Sequence, residues 1–206
     1  MMLLALDTTA AVATAALFRD GVLIAEREAD AGKKHAETVL PMIEQLLEEN
    51  ETKISQIDYF AVDIGPGSFT GVRIGVSLVN AMAFATEKKI IPVNALRVLA
   101  ESVKTNNRPV CPLIDARNGN AYAALYQDGQ TIIEPCAVET ESFLSRVPVE
   151  AVFVGDAQTE QKTYPRASFV GLVALALLDT AVNETEPIYL RASQAERLRQ
   201  NPSKEA

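Results

Sequence analysis

Histidine occurs once in the 206 residues, at His35. A zinc hydrolase of the H-E-x-x-H type needs two histidines and a glutamate base, so that chemistry is excluded. A serine hydrolase is disfavoured as well, because no G-x-S-x-G elbow is present and the base would have to be the same lone histidine. Cysteine is nearly as scarce. Cys111 and Cys136 lie far apart, form no C-x-x-C pair and read as plain buried thiols rather than a metal centre or a disulfide framework. Positive charge is in deficit, with 19 Lys and Arg against 27 Asp and Glu and a formal net charge of −8. That balance argues against a chain that grips a nucleic-acid backbone by itself. Long apolar runs are missing too. The most apolar late stretch, residues 169–178, falls far short of the ~20 residues of a membrane helix. The start runs straight into an apolar segment and Asp7, with no basic region or cleavage site, so a cytoplasmic chain with no membrane association is expected.

What is present is a repeat. Leu4-Ala5-Leu6-Asp7 leads through Ala15-Ala16-Leu17-Phe18 to Asp20-Gly21, and Pro112-Leu113-Ile114-Asp115 leads through Ala123-Ala124-Leu125-Tyr126 to Asp128-Gly129. Aspartate and Asp-Gly are 13 residues apart in both copies. Asp-Gly between apolar runs signals a tight hairpin turn, since both central positions need a positive φ. Each copy therefore opens as strand, terminal aspartate, second strand, turn, third strand. A helix over 35–49 and a strand over 59–64 ending in Gly65 follow the first copy. A shorter helix over 139–146 and a strand over 151–154 ending in Gly155 follow the second. The expected fold is α/β: a duplicated actin-like, Hsp70-like or sugar-kinase (RNase H-like) architecture with two mixed-sheet subdomains, 1–104 and 105–206. In that layout Asp7 and Asp115 either face one another across a cleft or merely cap turns. The second subdomain is reduced, because the offset of 108 residues between the hairpins falls to 90 between Gly65 and Gly155. The mixed-charge stretch after Leu190, which includes residues 196–199, is expected to fray.

Gly65-Pro66-Gly67-Ser68-Phe69-Thr70-Gly71 sits between a strand and a helix over 70–86, a place where anions bind well. It is not a P-loop, since Val72-Arg73 follows where Lys and Ser/Thr are required, and it is one residue too long for the dinucleotide fingerprint. The helix is apolar nearly all round. Gly71 and Gly75 would let another helix approach, either that of residues 35–49 or one from a second chain.

Asp7-Thr8-Thr9, the run Gly65 to Gly75, Asp115-Ala116-Arg117-Asn118-Gly119 and Pro187-Ile188-Tyr189-Leu190-Arg191 together resemble the TsaB (YeaZ) family over nearly the whole chain. The resemblance implies a non-catalytic subunit of the bacterial machinery that forms threonylcarbamoyladenosine in tRNA. Its implied partners are a catalytic paralogue, TsaD, and a small ATPase, TsaE, with tRNA met only through the complex. A homodimer is the counterpart when the chain is alone. The catalytic paralogue carries H-x-x-x-H after the strand that follows the glycine-loop helix; here that place reads Asn94-Ala95-Leu96-Arg97-Val98-Leu99. No catalytic residue and no metal ligand is expected, His35 included, and ATP or ADP belongs to the partners or their interface rather than being bound tightly here. The resemblance also implies partner contact through the first-half helices, with Val39, Ile43, Leu46, Val72, Gly75, Val76 and Val79 as candidate contacts. A residual nucleotide cleft would draw on Asp7, Thr8, Asp115, Gly155 and Asp156, beside the loop residues Gly65, Gly67, Ser68, Thr70, Gly71 and Arg73. The alternative is a free-standing ATP-dependent phosphotransferase of the same superfold.

Overall fold

The structure, a computed structural model, describes residues 1–30, 35–157, 159 and 162–191, without the side chains of His35 and Ala36. The role expected for the His35 side chain lies outside what it describes, and of the stretch expected to fray after Leu190 only Arg191 is described.

Two sheets carry the duplication. The first has the order β3-β2-β1-β4-β5, from β1 (Met2–Asp7), β2 (Val12–Arg19), β3 (Val22–Asp30), β4 (Tyr59–Asp63) and β5 (Lys89–Val93). β1, β2 and β3 pair antiparallel, whereas β4 and β5 join them in parallel. The second sheet repeats the pattern in the order β8-β7-β6-β9, from β6 (Val110–Asp115), β7 (Asn120–Gln127), β8 (Gln130–Glu139) and β9 (Val152–Gly155). Both hairpins turn on the expected Asp-Gly pair. Asp20 and Gly21 have φ of 51° and 80°, and Asp128 and Gly129 have 49° and 79°, the doubly positive geometry that two-residue turns require.

Alternation along β1 explains the layering. Leu4 and Leu6 enter one core with α1 (His35–Glu49) and α2 (Phe69–Thr86), while Leu3 and Ala5 enter another on the opposite face. A strand buried on both faces is apolar throughout rather than alternating, which β1 and β2 obey. The second core is closed by α5 (Ala167–Leu175), whose Gly171 leaves no room for a Cβ against the Phe18 ring. α5 follows the second sheet in sequence yet packs on the first, as does the extended segment of residues 182–191, which bridges Val182 to Ile90 on β5. The expected division into 1–104 and 105–206 assigns both to the second subdomain. α3 (Ala95–Glu101) packs against α5 and against β6, and so joins the halves. In the second half the helix between hairpin and parallel strand shrinks to the five residues of α4 (Thr140–Leu144), where the shortened offset lies. Cys111 is buried as expected, and Cys136 is half-buried.

α2 is the one helix among the described residues that is long and apolar enough, by length and composition alone, to cross a membrane. Its Gly71, Val72, Gly75, Val76, Val79 and Ala83 are nevertheless buried in the first core.

Candidate functional site

The strand ends that the repeat singled out all use one local device. Asp7 Oδ1 accepts the backbone N–H and the hydroxyl of Thr9 at 3.0 and 2.8 Å, Asp63 Oδ1 accepts the N–H of Gly65 at 2.8 Å, and Asp115 Oδ1 accepts the N–H of Arg117 at 2.8 Å. Each carboxylate thus caps the N–H two residues on, as aspartate does where a strand turns. The second half adds Asp156, whose Oδ1 takes the N–H of Asp115 at 2.8 Å.

The surroundings of these carboxylates differ. Asp7 and Asp63 sit side by side at the ends of parallel strands, both 0% exposed, and the second oxygen of each has no hydrogen-bond partner. Burial pushes the Asp7 carboxyl up to about 6 against the pull of the Thr9 hydrogen bonds. Burial, and after it the charge of Asp7, pushes Asp63 well above the ordinary carboxylate range. Two carboxylates side by side without water repel when both are ionised, so burial and mutual charge together favour a protonated form of the pair. Asp63 is absent from the sequence-based expectations. Its signal was there: like Asp7, it ends an apolar strand two residues before the turn it caps.

The glycine run closes over this pair instead of opening to a ligand. A Cβ on Gly71 would strike the Thr8 carbonyl oxygen, and one on Gly75 the Thr8 hydroxyl. The Thr8 hydroxyl donates to the Gly71 carbonyl at 2.8 Å, and the Ser68 N–H donates to the Thr9 carbonyl at 2.8 Å. Ser68 also caps α2, its Oγ accepting the Gly71 N–H at 3.3 Å. The small residues of α2 therefore seat the helix on its own β1–β2 turn, not on a helix of another chain. Gly65, at φ 96°, accepts the Ala95 N–H and thereby fixes the start of α3.

The expected interface is corrected on the same ground. Val39, Ile43, Leu46, Val72, Gly75, Val76 and Val79 are all buried in the first core by the protein's own sheet. The outward stripe of α2 is Arg73, Ser77, Ala81, Phe84 and Ala85, with Phe84 88% exposed. An apolar helix gives no sign of which stripe faces out until its sheet is known.

Between the halves lies a cleft of about 800 Å³. Thr9, Ala10, residues 66–70 and residues 188–191 line it from the first half, and Asp115, Arg117, Tyr122, Asp156 and Tyr164 from the second. Of the residues expected in a nucleotide cleft, only Asp115 and Asp156 are there. Asp7 and Thr8 are fully buried behind it, and Gly155 packs on the Leu113 carbonyl. Loop residues Gly67, Ser68 and Thr70 do line it. Arg73 stands at the adjoining surface, its guanidinium 3.8 Å over the Phe69 ring and its Nε donating to the Tyr189 hydroxyl at 2.6 Å. The segment of residues 182–191 ends across the gap, where Arg191 Nη1 donates to the Ala116 carbonyl at 3.0 Å. Among the described residues no group of three His, Cys, Asp or Glu side chains is placed to hold a metal.

Fold and site together define a two-lobed α/β protein of the actin-like type, duplicated about a cleft whose inner carboxylates have been closed off. Residues 28–201 match the family model described as TsaD, tRNA N6-adenosine threonylcarbamoyltransferase, and the chain belongs to that family, alongside its TsaB (YeaZ) members. The tRNA threonylcarbamoyladenosine biosynthesis protein TsaB of Escherichia coli is 36% identical over 129 residues, 62% of this chain and 55% of its own length. Its Bacillus subtilis namesake is 34% identical over 134 residues, 65% and 58% of the two chains. The chain thus spans little more than half the length of these curated relatives. A crystal structure from Pseudomonas aeruginosa, described as an uncharacterized protein with similarity to peptidase YEAZ, superposes with a TM-score of 0.78 at 26% identity. It covers 92% of this chain and 99% of its own.

Proposed function

We propose that the chain is a non-catalytic partner subunit in the formation of threonylcarbamoyladenosine on tRNA, pairing with a TsaD-type catalytic paralogue and a TsaE-type ATPase. The observation that carries this reading, beside the kinship, is the closed strand end. Of the two strand-end aspartates that a phosphotransferase of this superfold would turn to its cleft, Asp115 caps its turn at the cleft wall, but Asp7 lies out of reach behind Thr9. The same observation weighs against the free-standing phosphotransferase.

The partner face in this reading is the outward stripe of α2 rather than its buried side. An aromatic ring as exposed as Phe84, on a helix flanked by Ala81 and Ala85, is the kind of residue that anchors a protein contact. Size-exclusion chromatography with light scattering, on the chain alone and mixed with the TsaD paralogue, tests the pairing. A one-to-one complex that modifies tRNA with TsaE, when neither subunit does so alone, is the expected result. Failure to associate at about micromolar concentration would overturn it. Phe84→Ser should weaken the complex about tenfold or more while leaving the melting temperature unchanged. Full affinity in that variant would move the contact elsewhere.

A further inference from the structure

We propose that the buried Asp7–Asp63 pair is a latch on the glycine run, which stays seated while the pair is protonated and lifts to admit water when both carboxylates ionise. This goes beyond the assembly reading and does not depend on it. The geometry joins the two parts. Each aspartate gives one oxygen to the turn that follows it, Asp7 to Thr9 and Asp63 to Gly65, and those turns are the two edges of the cover. The Thr9 carbonyl accepts the Ser68 N–H, and the Thr8 hydroxyl donates to the Gly71 carbonyl. Gly67 lies against Thr9 and Gly71 against Thr8, with no room for a Cβ at either place. The cover is thus seated by packing and by hydrogen bonds that water can replace.

Beneath it, the second oxygen of each carboxylate has neither a hydrogen-bond partner nor access to water. An ionised oxygen in that position is costly, and two side by side are more so. Among the described residues no cation faces the pair to offset it. β2 and β5 place the uncharged Thr14 and Val93 opposite Asp7 and Asp63. β3 presents Glu26, whose charge opposes that of Asp7, and Arg166 at the start of α5 is committed to Glu26 and Glu28. Arg73 of α2 turns to Phe69 and Tyr189 at the surface, and Arg97 of α3 to Gly129 and Tyr126. The glutamates of α1 point outward, as do Glu184 and Glu186 of the extended segment, whose Arg191 is held at the Ala116 carbonyl. The amino end of α2 offers the pair only its dipole.

Lifting the cover lets water reach both carboxylates, which then titrate in their ordinary range. Seated, burial holds Asp7 up to about 6 and Asp63 well above that range. The seated form therefore binds more protons than the lifted one. Its advantage is complete below pH ~4 and falls as pH rises through about 6 for Asp7, with the raised Asp63 adding loss of the same sign. What the latch controls is not local to the pair. Residues 66–70 wall the cleft, and Ser68 caps α2, so the order of both follows its state.

Amide hydrogen exchange of the full chain, read by mass spectrometry as protection factors so that the intrinsic pH dependence of exchange is removed, is the test. Residues 65–72 should lose protection about tenfold or more between pH 5 and pH 7, while residues 13–18 of β2 keep theirs within about twofold. Asp63→Asn keeps an acceptor for the Gly65 N–H and cannot ionise, so it should cut the loss at residues 65–72 to about threefold or less. Asp7→Asn is the second route to the same result if Asp63→Asn does not fold. Constant protection of residues 65–72 would overturn the proposal. An equal loss at residues 13–18 would overturn it as well, by reducing the effect to global stability, and so would a full pH dependence in a folded variant. The wild-type series decides the first two outcomes without any variant. None of these results bears on association with the catalytic paralogue, so the two readings fail separately.

Discussion

The two halves end their central strands with the same turn and arrive at opposite electrostatics. In the first half Asp7 and Asp63 lie under the amino end of α2, sealed from water, and burial raises both carboxyls. In the second half Asp115 and Asp156 make the equivalent turn in the open and line the cleft. What separates them is the cover. After β4 the chain folds α2 across its own strand ends, whereas after β9 it leaves for the first sheet and becomes α5. A repeated motif thus specifies a backbone geometry, and the charge state of its carboxylates is set by whatever packs on top.

The largest test of that comparison is to break the cover. Val76→Asp would place a charge in the first core, and the expected outcome is loss of about 4 kcal/mol or more, read as an unfolded or barely folded chain by circular dichroism. A folded, monomeric Val76→Asp would mean that α2 is not held by the sheet. Next in size is relief of the buried pair. Asp63→Asn keeps an acceptor for the Gly65 N–H and supplies a donor to Asp7, so it should raise stability at pH 7 by roughly 1–3 kcal/mol in urea titrations. The pH dependence gives the sign. Both folded carboxyls titrate above the unfolded value near 3.8, so the native state binds more protons than the unfolded one. The stability tied to the protonated forms is fully present below pH ~4 and is lost as pH rises through about 6 for Asp7, with the raised Asp63 adding loss of the same sign. The advantage of Asp63→Asn should therefore grow from acid to neutral pH; an advantage that shrinks would refute the raised titration of the pair. The smallest effect belongs to the open half. Asp115→Asn retains the turn cap in water and should shift stability by no more than about 0.5 kcal/mol in urea titrations.

Much of this was legible in the residues. The paired Asp-Gly turns, the spacing of thirteen and the shortened helix of the second half follow from local rules of φ and periodicity, which act over a few residues. The close approach of Thr8 to Gly71 and Gly75 is long-range, and without it the buried side of α2 was read as the partner face. α5 escaped for a related reason. Residues 169–178 are apolar on every side, so periodicity shows burial without saying against what, and the chain returns to the first sheet only because Phe18 and Gly171 fit together. Asp63 was passed over because a carboxylate ending an apolar strand is ordinary until its neighbour is also a carboxylate.

The raised carboxyls of Asp7 and Asp63 have an electrophoretic consequence. A formal charge of −8 counts both groups as ionised, so near pH 6, where Asp7 titrates in the fold, the folded molecule is less negative than its sequence declares. Unfolding there would release protons to the buffer. The enthalpy of denaturation near pH 6 should then vary with the buffer's own heat of ionisation.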